Sequence, residues 1–181
     1  MNDFDVRLWA IFTTNANLYL GNGIITITRP SDYCYYFNYG SIRGTIYCEG
    51  STIKIAPSSY DGAANSLLNS SGQIINKLWI AKTGLNITEF RYGCTINELI
   101  IDAGCNVKFS TNTFNIGKLT AIGTQVQPIT IGSVTAATHS LVKTGTDVVE
   151  VEYCNISNSN ATPIDKWSAG ETSIDGGNNS G

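Results

Sequence analysis

Apolar and polar residues alternate along much of this chain. Val107-Lys-Phe109, Phe114-Asn-Ile116, Ile129-Thr-Ile131 and Val149-Glu-Val151-Glu-Tyr153 each place apolar side chains at every second position. That period marks short, half-buried strands. Glycines fall between the runs, where the chain must turn and a positive φ is inexpensive for them.

The runs repeat. Leu119-Thr-Ala-Ile-Gly123-Thr-Gln-Val126 and Leu141-Val-Lys-Thr-Gly145-Thr-Asp-Val148 share the pattern Leu-x-x-x-Gly-Thr-x-Val. Leu99 to Val107 carries the same pattern with one residue inserted, and Leu78 to Ile87 with two. The leucines at 78, 99, 119 and 141 step by 21, 20 and 22. The glycines at 84, 104, 123 and 145 drift with them, as do Ile87, Val107, Val126 and Val148. Ile46 to Ile53 reads as an older copy, followed by a polar insertion from Pro57 to Gly72.

A unit of about 20 residues with two or three short strands is the size of one coil of a β-solenoid. Stacked coils pair strand on strand in parallel, and equivalent side chains form interior columns. One coil cannot bury its own face, so it needs neighbours. The expected columns are Leu78, Leu99, Leu119 and Leu141, and Ile87, Val107, Val126 and Val148. The leucine-rich-repeat signature Leu-x-x-Leu-x-Leu-x-x-Asn is absent.

The first third is less regular. Leu18-Tyr-Leu-Gly-Asn22-Gly23-Ile-Ile-Thr-Ile-Thr holds two strand-like runs around an Asn-Gly turn. Tyr33, Tyr35, Tyr36, Phe37 and Tyr39 form a dense aromatic cluster. Residues 1–45 read as irregular first coils and a cap, because the end of a solenoid exposes strand edges that need covering. Residues 46–156 read as the repeats. Residues 157–181 read as a polar cap or docking tail with one tryptophan, Trp167.

Composition narrows the picture. The 181 residues are 42% hydrophobic, which supports a real core. Charged residues are 14%, against about 25% in ordinary domains. Gly, Asn, Ser and Thr fill the gap at roughly 40%, a bias towards strands and turns. The net charge of −3 gives no basic surface for nucleic acid. No apolar stretch approaches the ~18 residues of a membrane span. The run Leu8 to Phe12 is too short for a signal-peptide core. The five cysteines are an odd number without a C-x-x-C pair, so they read as buried thiols rather than metal ligands or disulfides.

The segment Phe114-Asn-Ile-Gly-Lys-Leu-Thr-Ala-Ile-Gly-Thr-Gln-Val-Gln-Pro-Ile-Thr-Ile-Gly resembles a coil of right-handed parallel β-helix proteins. These are the pectin-lyase-like repeats of phage tail and virion proteins and of metagenomic surface proteins. Tyr153 to Ala161, Trp167 to Gly170 and Asp175 to Gly181 are similar to a terminal pattern of the same proteins. The resemblance covers about residues 75–181. It implies a right-handed parallel β-helix of about six coils, 20–22 residues each, with an N-terminal cap. It also implies a virion protein of a bacteriophage, in capsid decoration or a tail fibre, and a homo-oligomer, with a trimer favoured.

Catalytic chemistry finds little support. Polysaccharide-cleaving β-helices need carboxylates clustered in a groove. Here Glu98, Asp102, Asp147, Glu150 and Glu152 are the densest group, and they read as a solvated strand face that discourages edge pairing. His139, the one histidine, reads as a non-catalytic corner residue, and there is no Gly-x-Ser-x-Gly elbow. Asp175-Gly-Gly-Asn fits no calcium-loop spacing. The expectation is a non-enzyme without cofactor or metal, contacting other virion proteins or a host-surface glycan. Its candidate contacts are Tyr33, Tyr35, Tyr36, Phe37, Tyr39 and Trp167. A bacterial carbohydrate-binding adhesin is the alternative, and a polysaccharide-degrading β-helix enzyme the third reading.

Overall fold

The computed structural model describes residues 6–8, 18–27, 34–36, 46–56, 66–68, 72–81, 83 and 86–181. They form an all-β parallel solenoid. The helical content among them is one 3-10 turn at Ile164–Lys166. Tyr33, Phe37 and Tyr39 lie outside the described residues, and Tyr35 and Tyr36 are described only as backbone of the strand Cys34–Tyr36.

Two large sheets face each other. The first has ten strands and runs from Val6–Leu8 through Ile24–Ile27, Thr52–Ile55, Ile74–Ile80, Thr95–Ile101 and Thr113–Ile122 to His139–Lys143 and Ser159–Thr162. The second has seven, from Cys34–Tyr36 to Ile174–Asp175. A third small sheet pairs Leu18–Tyr19 with Ile46–Tyr47. Alternating burial within strands follows from the alternation in the sequence, as in Asn106–Phe109 and His139–Lys143.

The interior between the sheets is apolar. Phe90 and Phe109 stack with centroids 4.4 Å apart, and Phe114 meets Phe109 edge-on at 4.9 Å. Such pairs add to the free energy of area burial because ring edges and faces carry opposite partial charge. Cys48, Cys94, Cys105 and Cys154 are buried. The Cys105 and Cys154 thiols donate to the carbonyls of Ile80 and Ala121, at or next to the ends of strands of the first sheet. Small apolar thiols thus fill the inside of corners and satisfy a carbonyl there.

The leucine column holds through its first three members. Leu78 pairs in register with Leu99, and Leu99 with Leu119, with Ile53 before them. All four are buried. Leu141 does not continue it. Leu141 pairs with Phe114, with the Ile116 column lying between it and Leu119. The cause is a corner. The strand Thr113–Ile122 spans ten residues, but the next coil covers it with two pieces, His139–Lys143 and Val149–Glu152. Phe114 to Leu141 is a step of 27, whereas Ala121 to Val151 is a step of 30. Three extra residues are therefore inserted opposite Gly117 and Lys118.

A buried lysine holds that insertion. Lys143 is on the inner face of its strand, and its Nζ donates to the Gly117 carbonyl and, at 2.9 Å, to Asp147 Oδ1. An ammonium taken out of water needs such partners. Lys143 thus turns inward where Ile116, its neighbour in register, is a core residue.

The second expected column also changes. Val107 is fully buried, but its partners are Thr88 and Ile131, so Ile87 sits one position away, opposite Asn106. Val126 is 87% exposed and Val148 47% exposed. Both lie in corners rather than strands, where spacing along the chain no longer tracks distance from the core. The coil count also shifts. From Thr52–Ile55 to Ser159–Thr162 the first sheet advances by five turns, against the expected six. Register steps of 25, 21, 20, 27 and 20 replace a uniform 20–22.

Residues after Ser157 extend both sheets. Ser159–Thr162 and Trp167–Ala169 pair onto the first, and Ile174–Asp175 onto the second. Asparagine ladders join the last two coils at their corners. Asn158 and Asn178 both take left-handed conformations (φ 54 and 57), and their side chains bond at 3.1 Å. Asparagine tolerates that conformation better than most residues.

Candidate functional site

The carboxylates singled out in the sequence do not converge. Glu98 sits between Lys77 (3.1 Å) and Lys118 (3.9 Å) in one cross-strand column, where the register puts a cation on either side. Glu89 pairs with Arg91. Asp147 accepts from Lys143, and that bond holds its carboxyl below the usual carboxylate range. Glu152 accepts from the Thr172 hydroxyl. Glu150 lies outward, opposite Ser168. Asp102 opens a corner, where its carbonyl accepts from Cys105 N. Among the described residues no group of three or more His, Cys, Asp or Glu could hold a metal ion.

His139 is not at a corner. It opens an inward-facing strand position and is 1% exposed. Its ring stacks on Phe109, with centroids 5.0 Å apart. Nδ1 lies 2.8 Å from Ser133 Oγ, and Ser133 Oγ also reaches the Asn158 carbonyl at 3.1 Å. Nε2 is buried without a partner. Burial pushes the imidazole pKa down to about 4, because the charged ring would have to leave water. This histidine is neutral core.

Two surface features were not apparent in the sequence reading. Tyr19 and Tyr47 stack with centroids 4.5 Å apart and planes within 6°, and are 64% and 37% exposed. They align because Leu18-Tyr-Leu20 and Ile46-Tyr-Cys48 repeat an apolar-Tyr-apolar triplet on paired strands. That triplet was the signal available in the chain. The second is Lys54, whose Nζ lies 3.3 Å above the Trp79 ring, one coil away in register. An ammonium over an indole face is attracted by the ring quadrupole.

Trp167 is partly buried and packs against the core, and its Nε1 donates to the Thr162 carbonyl at 3.1 Å. It forms one wall of a cavity of about 400 Å³ at the C-terminal mouth of the solenoid. Leu119, Leu141, Val149, Val151 and Ile156 line its floor and sides, and Asp175 stands at its edge. Among the described residues no helix is long and apolar enough to cross a membrane. No described protein family, curated protein or solved structure matches the chain.

Proposed function

We propose that this protein is a non-catalytic structural and adhesive solenoid carried on a bacteriophage particle, as a capsid decoration or part of a tail fibre. The observation that carries the non-catalytic half is the state of the carboxylates. Glu89, Glu98, Asp147 and Glu152 are each engaged in a pair that stabilises a strand or corner. Acid–base cleavage of a glycoside needs two carboxylates free to act on one bond. A parallel solenoid with an asparagine ladder and a filled aromatic interior suits a rigid exterior protein. The virion assignment rests on the resemblance of residues 75–181 to the β-helix repeats of phage proteins.

A second reading is a bacterial carbohydrate-binding adhesin. The exposed Tyr19–Tyr47 stack favours it, since tyrosine joins contact area to a polar tip. Light scattering on the purified chain tests the first reading. The expected mass is that of a homotrimer, because fibres build on closed symmetric oligomers. A monomer that releases reducing ends from a polysaccharide panel would refute the non-catalytic role. A monomer that binds glycans, and loses them in Tyr19→Ala, would favour the adhesin.

A further inference from the structure

Asn22-Gly23 is the one Asn-Gly pair in the chain, and it does not close a hairpin. The strands on either side of it belong to different sheets. Leu18–Tyr19 pairs with Ile46–Tyr47, and Ile24–Ile27 with Thr52–Ile55. Both pairings step by 28, since Tyr19 meets Tyr47 and Ile24 meets Thr52. Residues 20–23 therefore form a corner matched one to one with residues 48–51 of the next coil, and Asn22 lies over Gly50. A Cβ added to Gly50 would fall on Asn22 Oδ1, so the carboxamide occupies the space that a side chain at position 50 would take.

On its own coil the carboxamide has glycine on both sides. Gly21 takes a left-handed φ of 52, with open space where its Cβ would be. Gly23 has no Cβ to shield its amide nitrogen. Flanking glycines let the backbone reach conformations closed to other residues. Asn22 is exposed, so water reaches Cγ. Other asparagines differ on both counts. The amides of Asn76, Asn112, Asn115, Asn178 and Asn179 each donate to a neighbouring coil. Each is followed by a residue whose side chain crowds the next nitrogen.

We propose that Asn22 is a self-modification site, converted through a cyclic imide to aspartate and isoaspartate. The Gly23 amide nitrogen loses its proton to hydroxide and attacks Cγ of Asn22. The new C–N bond closes the imide ring, and Nδ2 takes a proton from water and leaves as ammonia. Water then opens the ring. Breaking the Cγ–N bond gives aspartate, and breaking the bond from the position-22 carbonyl carbon to that nitrogen gives isoaspartate. One water is consumed and one ammonia released, and nothing is oxidised or reduced.

The isoaspartate route changes the stacking. The main chain then runs through Cβ and Cγ, which lengthens one corner by a methylene while residues 48–51 are unchanged. The one-to-one match is lost where Thr52 N donates to the Gly23 carbonyl at 3.1 Å. Both products add a negative charge opposite Gly50, next to exposed Glu49, and like charges repel. Ile25 and Ile27, buried in register with Ile53 and Ile55, shift with the corner. The modification thus loosens Ile24–Ile27 from Thr52–Ile55 with time, without any ligand. It stands on this corner alone and is independent of the virion reading.

The test ages the whole folded chain in warm, mildly alkaline buffer and follows each asparagine by peptide mass spectrometry. Isoaspartate is counted by methylation with an isoaspartyl methyltransferase. The expected result is conversion at Asn22 ahead of every other asparagine, with isoaspartate among the products and a rate that rises with pH. Gly23→Ala slows it severalfold, and Asn22→Ser, which keeps a small polar group over Gly50, abolishes it. Hydrogen exchange then compares fresh with aged protein. The amides of Ile24–Ile27 exchange faster after ageing, those of Asn106–Phe109 do not, and Asn22→Ser shows no ageing effect. Conversion confined to the urea-unfolded chain, or no faster at Asn22 than at Asn112, overturns the site. So does an equal rate in a Gly23→Ala variant whose circular dichroism is native. Exchange over Ile24–Ile27 that ageing leaves unmoved overturns the loosening.

Discussion

Replacing His139 by phenylalanine isolates the electrostatics of the solenoid interior. The ring is 1% exposed, stacked on Phe109, with Nε2 unpartnered. Its pKa is lowered from 6.5 to about 4 by burial. As pH falls, the unfolded chain takes up the proton first. Stability from this group is therefore complete above pH 6.5, declines between 6.5 and about 4, and is constant below that. The interval, 6.5 less about 4, converts to roughly 3 kcal/mol at about 1.4 kcal/mol per pH unit. The chain has one histidine, so His139→Phe removes the whole of this titration. Phenylalanine keeps a ring against Phe109, and Ser133 Oγ keeps its bond to the Asn158 carbonyl. Urea denaturation of both proteins at a series of pH values gives the difference in unfolding free energy, in which the shared carboxylate titrations cancel. The wild type should lose roughly 3 kcal/mol relative to the variant on acidification. Parallel curves would refute a buried, neutral His139.

Leu99→Ala should cost ~2–5 kcal/mol by denaturation, since it empties a site between Leu78 and Leu119 that is 1% exposed. Val126→Asp should stay within about 0.5 kcal/mol of wild type, and an unfolded variant would restore Val126 to the core. Gly117→Ala should destabilise by ~1–3 kcal/mol, because the added methyl would press on the backbone of Asn97 in the neighbouring strand. Burial pushes the Cys105 thiol up to about 12 and the Cys154 thiol up to about 11. Neither should label with maleimide in the native protein near neutral pH, as read by peptide mass spectrometry, because the thiolate is the nucleophile. Rapid labelling of either would show that its corner opens.

The strand alternation, the coil length of about 20 and the run Leu78, Leu99, Leu119 were all legible in the chain. They are local or strictly periodic, and each follows from side chains that must point inward at fixed intervals. The buried thiols were legible too, from their number and spacing. The path of the chain at the corners was not. Leu141 repeats the pattern of Leu119 but pairs with Phe114, because three residues are inserted opposite Gly117 and Lys118. Periodicity measures distance along the chain, whereas parallel register is set by hydrogen bonds to a coil some 20 residues away. The same periodicity puts Val126 and Val148 inside, yet they lie outside, since a corner has no fixed inner face. The core position of His139 was not legible, because its burial depends on Phe109 and Ser133 in other strands. The make-up of the interior columns belongs wholly to the tertiary structure. Phe114, Leu141 and Ala161 become one tapering column only when the coils stack in that register. Sequence spacing determined that this chain is a solenoid, and the stacking of its coils decided what lies inside.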